Sequence, residues 1–562
     1  MKSMTHFLRA AVGCTLLAGI SGCSSAPKPG QQFVRPPSTN ETILAATAAA
    51  RRVEIVGDQF TFDKAPLLIK GSFYEYHPVG KNPGEVHPTA EVFRRQIRAL
   101  KQAGFNAIRW FNPTPQALGI CEQENMLVFV QFWIDQSGDF FDAEFRADTI
   151  ARLRDVVRQT RDCTTLAGYL IMNEPYLHTA SSTAEIDATM SLLTEVRDMV
   201  KREAPSAYVS FVSWPSLAWL DYSAWDFVCF NIYTWSPVMT SEYGMGYRPF
   251  LDHLKKTLTQ DKPLIVMEYG ISVGPYDVNG HGYGGNTENQ QATESIRMLR
   301  DILAAGAAGA VYTHFADQIW KVGSNSEQDD DPEEWFGMMA LDMTNRGPEM
   351  RGRWRPVYYA HKDFYRAVLL QPAPFSTVTG AQEIVLYSEN AKEAVYRIDD
   401  GRWRKLVNGP GPMWTGMIDT TSLTDGLHHV EVSVDGPWDG KALPNAWVVV
   451  SRRVKDPFAL HVTVAPSSPS IQIDEPLTAT ISVRHVDGTP ATNTTINWAM
   501  YEHRYWNFDP QTALTGPDGT AVVDVETPRE AGWITISAGV EVTNGLYHRR
   551  FGGLATVAVG VR

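Results

Sequence analysis

The stretch Leu166-Ala-Gly-Tyr-Leu-Ile-Met-Asn173-Glu174-Pro175 is a short apolar run that ends abruptly in an amide, a carboxylate and a proline. A buried parallel strand reads this way, continuous in apolar residues and stopped by a residue that cannot extend it. A second run of the same kind, Pro263-Leu-Ile-Val-Met-Glu268-Tyr269-Gly270, also closes on a glutamate. Outward from these two, further apolar runs occur at Leu67–Ser72, Ala107–Phe111, Leu127–Phe132, Tyr208–Val212, Phe227–Ile232 and Ala310–His314, making eight in all. Longer amphipathic stretches separate them. Thr89 to Ala103, for instance, carries Val92, Phe93, Ile97, Leu100 and Ala103 at helical spacing before Gly104 stops it.

Eight strands alternating with helices over residues 52–370 predict a (β/α)8 TIM barrel, with Val53–Phe62 as a hairpin plugging its bottom. The chain has 562 residues, too many for one core, since cores stop growing near roughly 250–300 residues. Past Pro372 the pattern changes to short alternating strands. Ala394–Gly401 and His428–Val434 predict one all-β, immunoglobulin-like sandwich over 371–455, and Ala479–Val483 with Thr520–Val525 predict a second over 456–562.

The N-terminus has a different grammar. Lys2 and Arg9 precede the apolar run Ala10–Ile20, too short to span a bilayer as a helix. Ile20-Ser21-Gly22-Cys23 resembles a bacterial lipobox, which implies that residues 1–23 are a lipoprotein signal peptide and that Cys23 becomes lipid-modified. Residues 24–51, rich in proline and serine, read as a tether. The resemblance, with Ser24 after the cysteine, implies export and anchoring to the outer membrane of a bacterial envelope. A net charge of −13 argues against a nucleic-acid partner. Cys121 and Cys163 each end a helical segment and could form a bridge, whereas Cys229 reads as a buried thiol.

In a barrel of this type the site lies at the carboxyl ends of the strands. Strands four and seven are nearly opposite, so Glu174 and Glu268 should face each other across the mouth. A pair of carboxyl groups about 5–5.5 Å apart is what retaining glycoside hydrolysis needs, one attacking the anomeric carbon while the other protonates the leaving oxygen. With both glutamates at these strand ends, the barrel resembles the clan A glycoside hydrolases, with a first strand similar to those of family 2 hydrolases and family 72 glucanosyltransferases. The resemblance implies Glu174 as acid/base, Glu268 as nucleophile, Arg109 and Tyr233 as its supports, and Asn173 on the substrate's 2-hydroxyl. Strand eight lacks the tryptophan many members of that clan carry there.

Tyr74, Tyr76, Trp110, Trp133, Trp214, Trp235 and Trp320 lie near predicted strand ends and could stack on sugar rings, with Asn231 and His314 as polar neighbours. The glycine-rich loop 270–286 reads as a mobile rim over the cleft, with His281 more simply a surface histidine. The acidic run Glu327–Glu334 lacks the pattern of a calcium loop and reads as solvated. No metal or cofactor is expected. The strand-end carboxylates thus point to a retaining glycosidase acting on a poly- or oligosaccharide, and the resemblance implies that the linkage is β. The sequence leaves open a β-glucanosyltransferase on the same site and a non-catalytic, carbohydrate-binding envelope lipoprotein.

Overall fold

The computed structural model describes residues 52–111, 113–175, 177, 183–234, 245–259, 261–277, 282–435, 446–450, 458–502, 511–526, 528, 531–545 and 547–560. The expected signal peptide with Cys23, the expected tether, Trp235 and His281 lie outside these residues. Eight parallel strands close into a barrel: β1 (Ile69–Phe73), β2 (Ala107–Phe111), β3 (Leu127–Gln131), β4 (Leu166–Asn173), β5 (Val209–Ser213), β6 (Val228–Asn231), β7 (Leu264–Tyr269) and β8 (Gly309–Tyr312). The ring is sealed where β8 pairs with β1, Gly309 opposite Ile69. There a glycine is required: its φ is +150°, and a Cβ would come within 2.1 Å of the Ile69 carbonyl oxygen.

Helices α1 (Ala90–Gln102), α2 (Pro115–Gln123), α3 (Ala143–Thr160), α4 (Thr183–Glu203), α5 (Tyr247–Thr257), α6 (Glu288–Ala304) and α7 (Pro356–Tyr365) pack around the strands. Their starts follow capping chemistry. Thr89, Thr114 and Asp142 accept backbone N–H groups of the first turns of α1, α2 and α3, and Thr287 with Gln290 forms a reciprocal box on α6. Helix α1 buries Val92, Phe93, Ile97 and Leu100, the stripe its sequence spacing predicts.

Inside the barrel, the small sheet Val53–Val56, Gln59–Phe62 and Ala65–Leu67 closes the bottom as expected. Phe60 is fully buried, edge-on to Phe129 at 6.3 Å and to Phe227 at 5.8 Å. Burying one such ring contributes about 1.5–3 kcal/mol. The free thiols Cys121, Cys163 and Cys229 are buried, so the Cys121–Cys163 bridge does not form.

The expected eight-fold repeat breaks once. Between β5 and β6 there is no α-helix, only the 3-10 turn Pro215–Leu217. Near that gap the second sandwich packs on the barrel: Trp219 stacks on Trp533 at 4.8 Å and 15°. Gly246, ahead of α5, has no room for a Cβ beside Arg550.

The first sandwich faces a four-stranded sheet (Val368–Gln371, Ala381–Tyr387, Met413–Asp419, Val407–Asn408) against a five-stranded one built on Gly426–Val434. The second faces three strands against five, the latter built on Gly532–Asn544 and Tyr547–Gly560. Alternating burial, as in Leu477–His485, sends every other side chain into each core. Lys70 of β1 joins the barrel to the first sandwich through a 2.9 Å ion pair with Glu389.

Candidate active site

Strand alternation assigns the side chains of β2 and β3 at the barrel mouth. On β2, Ala107, Arg109 and Phe111 face inward while Ile108 and Trp110 face the helices. On β3, Leu127, Phe129 and Gln131 face inward by the same rule.

The two glutamate-bearing strands depart from this rule. On β7, Ile265 and Met267 point inward, so strict alternation would turn Glu268 outward. The register with β6 shifts between Val266 and Glu268, which lets Met267 and Glu268 both face the interior and returns Tyr269 to the outer layer. On β4, the register with β5 shifts between Leu170 and Asn173. Met172 takes φ +64° and Glu174 φ +45°, so Met172 joins the outer layer and Asn173 turns in. Such irregularities re-aim side chains at functional sites, and left-handed non-glycine residues are costly enough to need a reason.

Arg109, fully buried, is the hub. Its Nη1 donates to Glu268 Oε1 at 2.8 Å and to the Met267 carbonyl at 3.2 Å, its Nη2 to Asn173 Oδ1 at 2.7 Å, and its Nε to Gln131 Oε1 at 3.1 Å. The guanidinium also lies over the Phe73 ring at 4.3 Å. Tyr233 donates to the other oxygen of Glu268, Oε2, at 2.5 Å. Asn231 Nδ2 donates to Asn173 Oδ1 at 3.1 Å and to Glu174 Oε1 at 2.7 Å. Glu268, Arg109, Asn173, Asn231 and Glu174 therefore form one continuous polar chain across the mouth.

Burial, and then the charge of Glu268, raise the Glu174 carboxyl to about 8, against the pull of Asn231 and Arg109. That shift favours the protonated form of Glu174 at neutral pH. Burial followed by the Glu268 charge also holds the Tyr233 hydroxyl well above its ordinary value, so it remains a donor. A third carboxyl enters from just past β1. Glu75, only 5% exposed, is raised to about 7 by burial although Lys321 and Arg109 draw it down. Lys321 forms a 2.7 Å ion pair with Glu333, whose other oxygen accepts from Tyr283. His314 is buried 4.8 Å from the Phe73 ring, and burial keeps its imidazole neutral.

Several sequence expectations need correction. Tyr74, Tyr76 and Trp110 are not at the cleft. Tyr74 packs on Phe93 and Trp110 and donates to Gln96, while Tyr76 donates to the Pro348 carbonyl. All three belong to the layer between strands and helices, where alternation along β1 and β2 sends them. Trp214 is part-buried against that layer, and Trp320 is part-buried with its Nε1 donating to Gln318. Among the described members of this set, Trp133 alone is half-exposed, edge-on to Phe111 at 5.9 Å.

The acidic run is not a solvated loop. Glu334 is fully buried and accepts the Asp329 N–H, and Glu333 reaches the site through Lys321. The glycine-rich segment is pinned in its described part. Asn286 Nδ2 donates to the Ser272, Gly282 and Gly284 carbonyls, and Gly285 N–H to Gly274 O. Among the described residues, no group of three or more His, Cys, Asp or Glu side chains is placed to hold a metal ion.

No family model and no curated protein sequence matches this chain. Among solved structures, it is similar to the β-glucuronidase of Parabacteroides merdae, at 14% identity and TM-score 0.43, covering 89% of this chain and 63% of that one. It is also similar to β-glucuronidase 2 of Bacteroides uniformis, at 14% identity and TM-score 0.43, covering 90% and 67%. A third is the endo-β-1,4-mannanase of Thermotoga petrophila, at 13% identity and TM-score 0.35, covering 68% and 98%. The chain thus spans under two-thirds of the length of the P. merdae enzyme. Its architecture is that of a (β/α)8 barrel followed by two β-sandwiches.

Proposed function

We propose that this chain is a retaining glycoside hydrolase that cleaves β-glycosidic bonds of a poly- or oligosaccharide. The observation that carries the reading is the division of labour between the two glutamates. Glu268 is fixed through both oxygens by Arg109 and Tyr233, while Glu174, across the mouth, keeps its proton at neutral pH. One carboxyl oriented to attack and one poised to give up a proton are the two parts that retention requires.

In the first step Glu268 forms a bond to the anomeric carbon as the glycosidic C–O bond breaks, and the Glu174 proton passes to the leaving oxygen. In the second, water adds to the anomeric carbon of the glycosyl–Glu268 ester, Glu174 takes its proton, and Glu268 is released as a carboxylate. A sugar hydroxyl replacing that water gives the transferase variant of the same site. Asn173, held by Arg109 and Asn231, is assigned to the substrate's 2-hydroxyl. Cys23 is assigned as a lipid anchor that, with the tether, places the enzyme on the envelope.

Product analysis of the form lacking residues 1–23 tests this on β-glucans, β-galactans, β-mannans and β-glucuronides, beside Glu268→Gln. New oligosaccharides from the unsubstituted protein alone support hydrolysis or transfer, which the product lengths separate. Binding of a glycan without turnover supports a carbohydrate-binding lipoprotein instead. Continued membrane fractionation of Cys23→Ser would remove the anchor assignment.

A further inference from the structure

Among the described residues, the barrel mouth holds two ion pairs. Arg109 Nη1 lies 2.8 Å from Glu268 Oε1, and Lys321 Nζ lies 2.7 Å from Glu333 Oε2. These pairs share one field. Glu333 acts on Glu174, and Lys321 acts on Glu75 and is acted on by Glu268. Two cations therefore meet two carboxylates even when Glu75 and Glu174 are both neutral, and ionisation of either makes the mouth negative.

A uronic acid would bring one more negative charge into this partly desolvated site. Bound to Lys321 beside Glu333, it sets two carboxylates against a single cation, so that one buried negative charge is left uncompensated. A neutral sugar meets no such conflict. Each hydroxyl both donates and accepts, and the mouth offers both functions: the Lys321 ammonium donates and Glu75 carries carboxyl oxygens that accept.

We infer that the glycone subsite takes a neutral hexopyranoside and excludes uronic acids, with the Glu333–Lys321 pair as the specificity device. This rests on the glycosidase reading of the same site.

The test measures kcat/KM of the mature chain on 4-nitrophenyl β-D-glucoside, β-D-galactoside, β-D-mannoside and β-D-glucuronide. The best neutral substrate should exceed the glucuronide by more than about a hundredfold, the scale of an unmatched like charge. A glucuronide turned over as well or better overturns the inference while leaving the glycosidase reading intact. If neither an aryl glycoside nor any of the polysaccharides is cleaved, the glycosidase reading fails. Calorimetric titration with D-glucono-1,5-lactone and D-glucaro-1,4-lactone then decides the charge question, tighter binding of the acidic lactone overturning it. Glu333→Gln, with its fold checked by circular dichroism, should raise the glucuronide-to-neutral ratio at least about tenfold. Glu333→Asp should restore the neutral preference, and a ratio unmoved by Glu333→Gln would remove Glu333 as the device.

Discussion

Replacing Asn231 with alanine should make the enzyme slower yet active to higher pH. Asn231 Nδ2 donates to Glu174 Oε1 at 2.7 Å, and this bond favours the charged carboxylate, pulling Glu174 below where burial and the Glu268 charge would leave it. Hydrogen bonds to charged groups are worth about 1.5–3 kcal/mol, and one pKa unit corresponds to about 1.4 kcal/mol. Loss of the bond should therefore move Glu174 upward from about 8 by about one to two units. The sign is fixed by which form loses its partner: the carboxylate does, so the neutral acid persists to higher pH. The assay is the pH dependence of kcat/KM on the best 4-nitrophenyl glycoside, backed by infrared titration of the protonated carboxyl band. The rate at the optimum should fall, because Asn231 also holds Asn173 at 3.1 Å. A basic limb that stays in place or moves to lower pH would refute the reasoning.

Glu268→Gln removes the second-largest cause of the Glu174 shift but leaves the largest, burial, so Glu174 should titrate lower than before and still above an ordinary carboxyl; a return to the ordinary range would mean that burial counts for little. Arg109→Met should lower the melting temperature, reflecting a loss of about 3–5 kcal/mol as Glu268 is left buried without its cation. Adding Glu268→Gln should recover part of that loss, and strictly additive effects would deny the pairing. Trp219→Ala breaks the stack with Trp533, worth about 0.5–1.5 kcal/mol beyond lost area, and calorimetry should then show the second sandwich melting apart from the barrel; an unchanged single transition would show that other contacts hold the junction.

The barrel was legible because buried parallel strands write themselves as unbroken apolar runs, and all eight lie within a few residues of where those runs fall. The glutamates were legible because each ends such a run. Which neighbour faces the cleft was also legible, through period-two alternation that the aromatic residues obscured. Counting inward from Arg109 on β2 sends Trp110 out, and continuing past Phe73 on β1 sends Tyr74 and Tyr76 out and Glu75 in. The same count finds Gln131 on β3. The shifts that turn Asn173 and Glu268 inward leave no such trace, because a one-residue change of register depends on the neighbouring strand. Lys321 and Glu333 could not be read either. They come from a loop whose acidic composition looks solvated, and only its fold over the mouth buries Glu334 and pairs Glu333. The missing helix between β5 and β6 left no trace in composition, because Leu217, Leu220, Tyr222 and Trp225 of that segment still pack into the barrel core while Trp219 stacks on Trp533.

The central claim is that Glu268 becomes covalently bonded to the sugar. Incubation with a 2-deoxy-2-fluoroglycosyl fluoride of the configuration of the best substrate should slow release of the intermediate enough to trap it. Mass spectrometry of the digested protein should then place a single fluoroglycosyl group on the peptide containing Glu268. A label on any other residue, or turnover that proceeds with no labelled peptide, would contradict the account.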